Sequence, residues 1–174
     1  MLGLPQGIVK LMPHHELWHQ LFAEEGTQLC NAVGEHIIAI EHIGSTSICG
    51  LSAKPIIDIA VAVRKLADVE KCIAPIEDLG YEYRGEFGIP GRHYFVKGKP
   101  RTHHLNMVEL DSDFWRSHLL FRDYLRQHPQ AAKEYENLKM ELAQKYEDNR
   151  EAYTEGKAVF IENILLMAAT DAAL

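Results

Sequence analysis

Residues 41–61 read EHIGSTSICGLSAKPIIDIAV, and the end of that stretch decides the fold. Continued to Val63, "KPIIDIAVAV" is almost wholly apolar and rich in β-branched residues, the composition of a central strand buried on both faces. Side chains alternate along a strand, so Ile56, Asp58, Ala60 and Ala62 share one face and Ile57, Ile59, Val61 and Val63 the other. A carboxylate in so apolar a strand costs on the order of several kcal/mol if it is left unpaired. Asp58 is therefore expected to meet a cation, a metal or several donors. Lys54 stands just before the strand, and the Gly44-Ser45 turn offers backbone N–H groups and a hydroxyl suited to a phosphate. The loop is no Walker A loop: Gly44 and Gly50 are too far apart, and Gly50 precedes Leu51-Ser52 rather than Lys-Ser/Thr.

Outward from this stretch, "HIIAIEHIG" predicts a preceding strand and "THHLNMVEL" another further on. "YEYRGEFGIPGRHYFVKG" predicts two strands joined around "GIPG". Helical spacing of apolar residues runs over Pro13–Val33, stopped by Gly34, and over Leu66–Leu79, where Pro75 shortens or kinks the helix. Asp111 and Ser112 can cap a helix over "DFWRSHLLFRDYLRQH", and Pro129 suits the first turn of the next. "REAYTEGKAVFIENILLMAA" predicts the last helix. The expected class is α+β: one domain, residues 1–174, with a small mixed or antiparallel sheet, an N-terminal helix and a C-terminal three-helix tail, the helices on one side.

Composition narrows the function. A net charge of -7 argues against a protein that coats nucleic acid. Cys30, Cys49 and Cys72 are odd in number and widely spaced, which argues against a disulfide framework and for the cytoplasm. The N-terminus has no signal-peptide pattern, and no apolar run reaches ~18 residues, so no membrane partner is expected. "HELWH" (His15–His19) matches the zinc-protease helix H-E-x-x-H, with Glu16 as base, but its downstream extension is absent. Trp18, Leu21 and Phe22 make that segment read better as a packing helix.

"HIGSTSICGLSAKPIIDIAV", "HHLNMVEL", "FRDYLRQHPQAAKEYENLKMELA" and "YTEGKAVFI" together resemble the GrpB family, in order and over nearly the whole chain. That family is in turn similar to nucleotidyltransferases of polymerase-β type. The resemblance implies a nucleotidyltransferase-like fold, a Gly-Ser turn that holds nucleotide phosphates, an Asp-x-Asp pair on the next strand and a third acid on a neighbouring strand, with Mg2+ held between the acids. Carried over, Gly44, Ser45 and Thr46 fall at the phosphate turn and Asp58 at the first acid, a catalytic metal ligand beside Lys54. The second acid would fall at position 60, where this chain has Ala60, and Cys49 stands where family members often carry proline. The neighbouring strand offers His104 and Asn106 on one face and Glu109 on the other. Related sequences often read His-x-His there. Arg122, Lys139 and Lys157 lie in the family-like motifs of the tail. Tyr153 lies four residues before Lys157, on the same helix face. These cations are expected to converge on the Gly-Ser turn around a nucleotide or other phosphorylated small molecule. The expected activity is nucleotidyl transfer. The alternatives are a catalytically degenerate binder, which Ala60 favours, and an accessory module linked to coenzyme A synthesis, which fusions in relatives suggest.

Overall fold

β1 (Ile37–Ile43), β2 (Ile57–Val63), β3 (Tyr81–Tyr83), β4 (His93–Lys97) and β5 (His103–Glu109) hydrogen-bond into one mixed sheet of spatial order β1-β2-β5-β4-β3. The structure is a computed structural model, and it describes residues 2–171. β2 pairs antiparallel with β1 and parallel with β5, so the apolar strand is central, as its composition predicts.

The alternation along β2 divides the core. Ile57, Ile59, Val61 and Val63 pack with Trp18, Leu29 and Val33 of α1 (Leu17–Val33) and with Cys72 and Ile76 of α2 (Glu70–Asp78). Ala60 and Ala62 pack on the opposite face, with Ile43, Val108 and Trp115 of α3 (Asp113–Gln127). Helices thus cover both faces of the sheet, not one: with both faces of β2 apolar, a single layer would leave one of them in water. Beyond α3, the chain forms α4 (Pro129–Lys145), α5 (Arg150–Glu155) and α6 (Ala158–Asp171). Tyr124 and Leu125 of α3, Tyr135 of α4 and Ile164 and Ala168 of α6 form a separate apolar cluster with Ile48 and Leu51.

Several boundaries differ from the expected ones. α1 begins at Leu17, and His15 precedes it, its Nδ1 accepting from the Leu17 N–H at 3.2 Å. The Leu66–Leu79 helix opens as a 3-10 turn over Leu66–Val69, with Pro75 inside α2. The hairpin is shorter than its sequence suggests, with a long loop between Tyr83 and His93. The single last helix divides at Gly156-Lys157. There the backbone runs so close to α4 that a Cβ on Gly156 would stand 2.5 Å from Leu142 Cδ2. Among the described residues, no helix is long and apolar enough to cross a membrane.

Candidate functional site

A cavity of about 360 Å³ lies between the α3 face of the sheet and the C-terminal helices. Its floor is set by the register of three strands. Asp58 lies opposite Ile43 of β1 and beside His104 of β5, and Tyr94 of β4 lies beside Asn106. In a sheet, paired residues point to the same side, so Asp58, His104, Asn106 and Tyr94 all line the cavity.

The Gly44–Thr46 turn forms one wall. Gly44 has φ 71°, and a Cβ there would lie 2.7 Å from Asp58 Oδ2, so both the backbone conformation and the acid behind it require glycine. Thr46 Oγ1 sits 2.9 Å from His42 Nε2, which fixes the turn from beneath.

The other wall is cationic. Lys54 comes from the loop before β2, Lys139 from α4, Arg150 from α5 and Lys157 from the α5–α6 joint. Lys54 and Lys157 flank the Tyr153 ring, 5.5 and 4.5 Å from its centroid. Lys139, only 1% exposed, donates to the Ser52 carbonyl and lies 4.8 Å from the centre of the Tyr135 ring. Burial, then the charges of Arg150 and Lys157, brings Lys54 down to about 8. Burial, then Lys157, brings Lys139 down to about 7. Lys157 falls to about 8, mainly through burial. Among the described residues, Asp58 is the only carboxylate that lines the cavity. Burial alone would raise the Asp58 carboxyl, but the hydrogen bond from His104 and the charges of Lys54 and Arg150 outweigh it, so it lies below the ordinary value. The ionised carboxylate accepts from His104 Nδ1 at 2.8 Å, and His104 Nε2 is buried without a partner.

The structure therefore brings Gly44, Ser45, Thr46, Lys54, Asp58, His104, Asn106, Lys139, Tyr153 and Lys157 to one cavity. It places two expected members elsewhere. Arg122 bonds Glu41 Oε2 at 2.6 Å, Asp123 Oδ1 at 2.7 Å and the His42 carbonyl at 3.0 Å, so its charge is spent holding α3 to β1. Glu109 pairs with Val63 at the exposed end of β5, on the α1 face, and cannot serve as a third acid. His15, outside α1, cannot share a helix face with His19, so the H-E-x-x-H reading fails on geometry.

Sequence reasoning passed over Glu41, Arg92, Tyr135 and Arg150. Glu41 lies directly opposite Ala60 on the same face as Asp58, the place where a neighbouring acid would stand, but Arg122 neutralises it. Arg92 lies over the Tyr94 ring, 4.6 Å from its centroid, and donates to the Glu86 and Phe87 carbonyls, which ties the β3–β4 loop to the cavity rim. Arginine beside a buried tyrosine in "GRHYF" is the signal that could have flagged it.

Residues 8–166 match the model of the GrpB protein family. The glutamate-rich protein GrpB of Alkalihalophilus pseudofirmus is 42% identical over 95% of this chain and 98% of its own length. The crystal structure of the conserved protein GrpB from Enterococcus faecalis superposes with a TM-score of 0.88 at 38% identity, covering 95% of this chain and all of that one. At the level of fold alone, the Cid1 poly(U) polymerase, solved with MgGTP bound, aligns with a TM-score of 0.52 at 9% identity over 76% of this chain and 44% of that one. A dephospho-CoA kinase of Mycolicibacterium paratuberculosis is 25% identical over 83% of this chain and 42% of its own length.

Proposed function

The chain belongs to the GrpB family, and from that premise we propose that its cavity binds a phosphorylated small molecule, a nucleotide above all. The observation that carries this reading is the meeting of Lys54, Lys139, Lys157 and Arg150, from four separate segments, around one carboxylate. Burial first, and then the neighbouring cations, depress each lysine, and an anion with several oxygens would restore their charge. A volume of about 360 Å³ suits a small ligand and not a polymer. The nucleotidyltransferase-like fold supports a nucleotide as the class.

The donor set does not fit the expected magnesium. A two-metal centre needs carboxylates that bridge both ions, whereas among the described residues Asp58 is the sole acid lining the cavity, and one of its oxygens is already held by His104. The binding reading therefore rests on the lysines and not on a metal.

A second reading, nucleotidyl transfer, draws support from the Asp58–His104 pair. With Nδ1 donating to Asp58, His104 Nε2 is the basic atom; it is buried here, so this reading requires the ring or its cover to shift when substrate enters. It would take the proton of an acceptor hydroxyl as that oxygen bonds the α-phosphorus, with pyrophosphate leaving with the electron pair of the broken P–O bond. The third reading, an accessory module in coenzyme A synthesis, draws on the dephospho-CoA kinase relative.

Calorimetric titration with ATP, GTP and dephospho-CoA, each with and without magnesium, tests all three. Saturable one-to-one binding that persists without magnesium is expected. Absence of binding at millimolar concentration of every ligand would sink the proposal, and preference for dephospho-CoA would select the third reading. Release of pyrophosphate on adding acceptor alcohols would favour the second.

A further inference from the structure

On the far side of the Gly44–Thr46 turn from the cavity, three soft ligands meet. His14, from the segment before α1, His19, on its first turn, and Cys49, just beyond the turn, place one ligand atom each within 4.8 Å of one another. Cys49 Sγ is 3.5 Å from His19 Nε2. A tetrahedral ion with Zn–S of about 2.3 Å and Zn–N of about 2.0–2.1 Å sets a sulfur–nitrogen edge near 3.6 Å, so this edge already has the length coordination requires. The two imidazole centroids lie 5.8 Å apart, and His14 Nδ1 is buried without a hydrogen-bond partner.

We propose that His14, His19 and Cys49 form a site for a borderline-soft divalent metal of the zinc class, with a fourth position open to solvent. A thiolate with two imidazoles selects zinc-like ions over magnesium or calcium. Cys49 is exposed, which leaves room for a water as the fourth ligand. Arg126 runs alongside, its guanidinium donating to the Ser47 carbonyl at 2.7 Å, which fixes the backbone two residues before Cys49. The site also has a structural consequence. His19 packs edge-on against His42, centroids 5.3 Å apart, and His42 holds Thr46 of the turn. A metal bound here ties α1 to the loop that carries the turn. The motif that matters is thus not H-E-x-x-H but His14 and His19 with a cysteine thirty residues further on.

The test uses the untagged full chain, stripped with chelator, kept reduced and titrated with Co2+. One cobalt per chain is expected, with thiolate-to-cobalt charge transfer in the near ultraviolet and the visible bands of tetrahedral cobalt, both abolished by added zinc. Cys49→Ser should remove the thiolate band, and His14→Ala and His19→Ala should each weaken binding at least about tenfold. His15→Ala removes the acceptor of the Leu17 N–H but no ligand, and should leave one cobalt per chain and the thiolate band in place. Because Cys49 is exposed, a native circular dichroism spectrum is expected for Cys49→Ser, so loss of the band would not report unfolding. No thiolate band at saturating cobalt, binding indifferent to Cys49→Ser, or equal losses in His15→Ala and His14→Ala would each overturn the assignment.

Discussion

Asp58 and Ala60 are neighbours on one face of one strand, yet they live in different places. Around Asp58 the sheet opens into a cavity with three lysines and two arginines, and its carboxylate is 35% exposed to that space. At Ala60 the same face is closed: the residue is wholly buried, packed with Ile43, Ala62, Val108 and Trp115. The cationic end is the one proposed to meet an anion, while position 60, where the family resemblance places a second acid, is hydrophobic core. The departure from the Asp-x-Asp pair that the resemblance implies is therefore more than a missing side chain. The space where its carboxylate would stand is filled by α3.

The harshest way to break this comparison is Ala60→Asp. If position 60 is core, the new carboxylate is buried beside Trp115 and the fold loses about 3 kcal/mol or more, read as a lower urea midpoint. A stable variant that gains tight magnesium binding would show that the acid end is merely vacant. At the cationic end the signs should part. Lys157→Met is expected to weaken nucleotide binding about tenfold, ~1.4 kcal/mol, because it removes one phosphate partner. Its thermal midpoint should hold or rise, since the substitution relieves a crowded buried charge. Unchanged affinity in calorimetry would remove Lys157 from the ligand site.

The gentlest probe is pH. In the folded chain Lys139 titrates at about 7 and Lys54 and Lys157 at about 8, against 10.5 when unfolded. Between those values the unfolded chain holds more protons, so the lysines make the unliganded fold more stable as pH rises from about 7 towards 10.5. Anion binding runs the other way, because it needs the lysines charged. Affinity should fall as pH climbs through 7 to 8, with proton uptake on binding measured in two buffers of different ionisation enthalpy. Affinity flat across that range, or proton release, would contradict the assigned roles.

The central strand, its two faces and the order of elements were legible because alternation and β-branching are local properties. Lys54, Asp58 and the Gly-Ser turn were legible for the same reason: they lie within fifteen residues of one another. The reach of α4 and of the α5–α6 joint to that turn came only through the family resemblance. Arg122 was misread because its fate depends on register. Asp123 is its neighbour in sequence, but only the pairing of Glu41 with Ala60 brings the β1 carboxylate within its reach. Glu109 failed on strand parity, since Val63, its partner, faces α1. The His14–His19–Cys49 cluster was obscured by a motif of familiar spacing in the wrong frame.

The parallel pairing of β2 with β5 also has a kinetic side. The segment between these strands carries a helix and a hairpin, and the cavity they floor draws on residues from Ile43 to Leu165. Contacts so distant along the chain carry a large loop-closure cost, which slows folding. A nascent chain that has completed all five strands still lacks Lys139, Arg150 and Lys157, and with them most of the charge that would hold a phosphate. On the proposed reading ligand binding is a property of the finished fold, so a bound nucleotide would report that the last helices have docked.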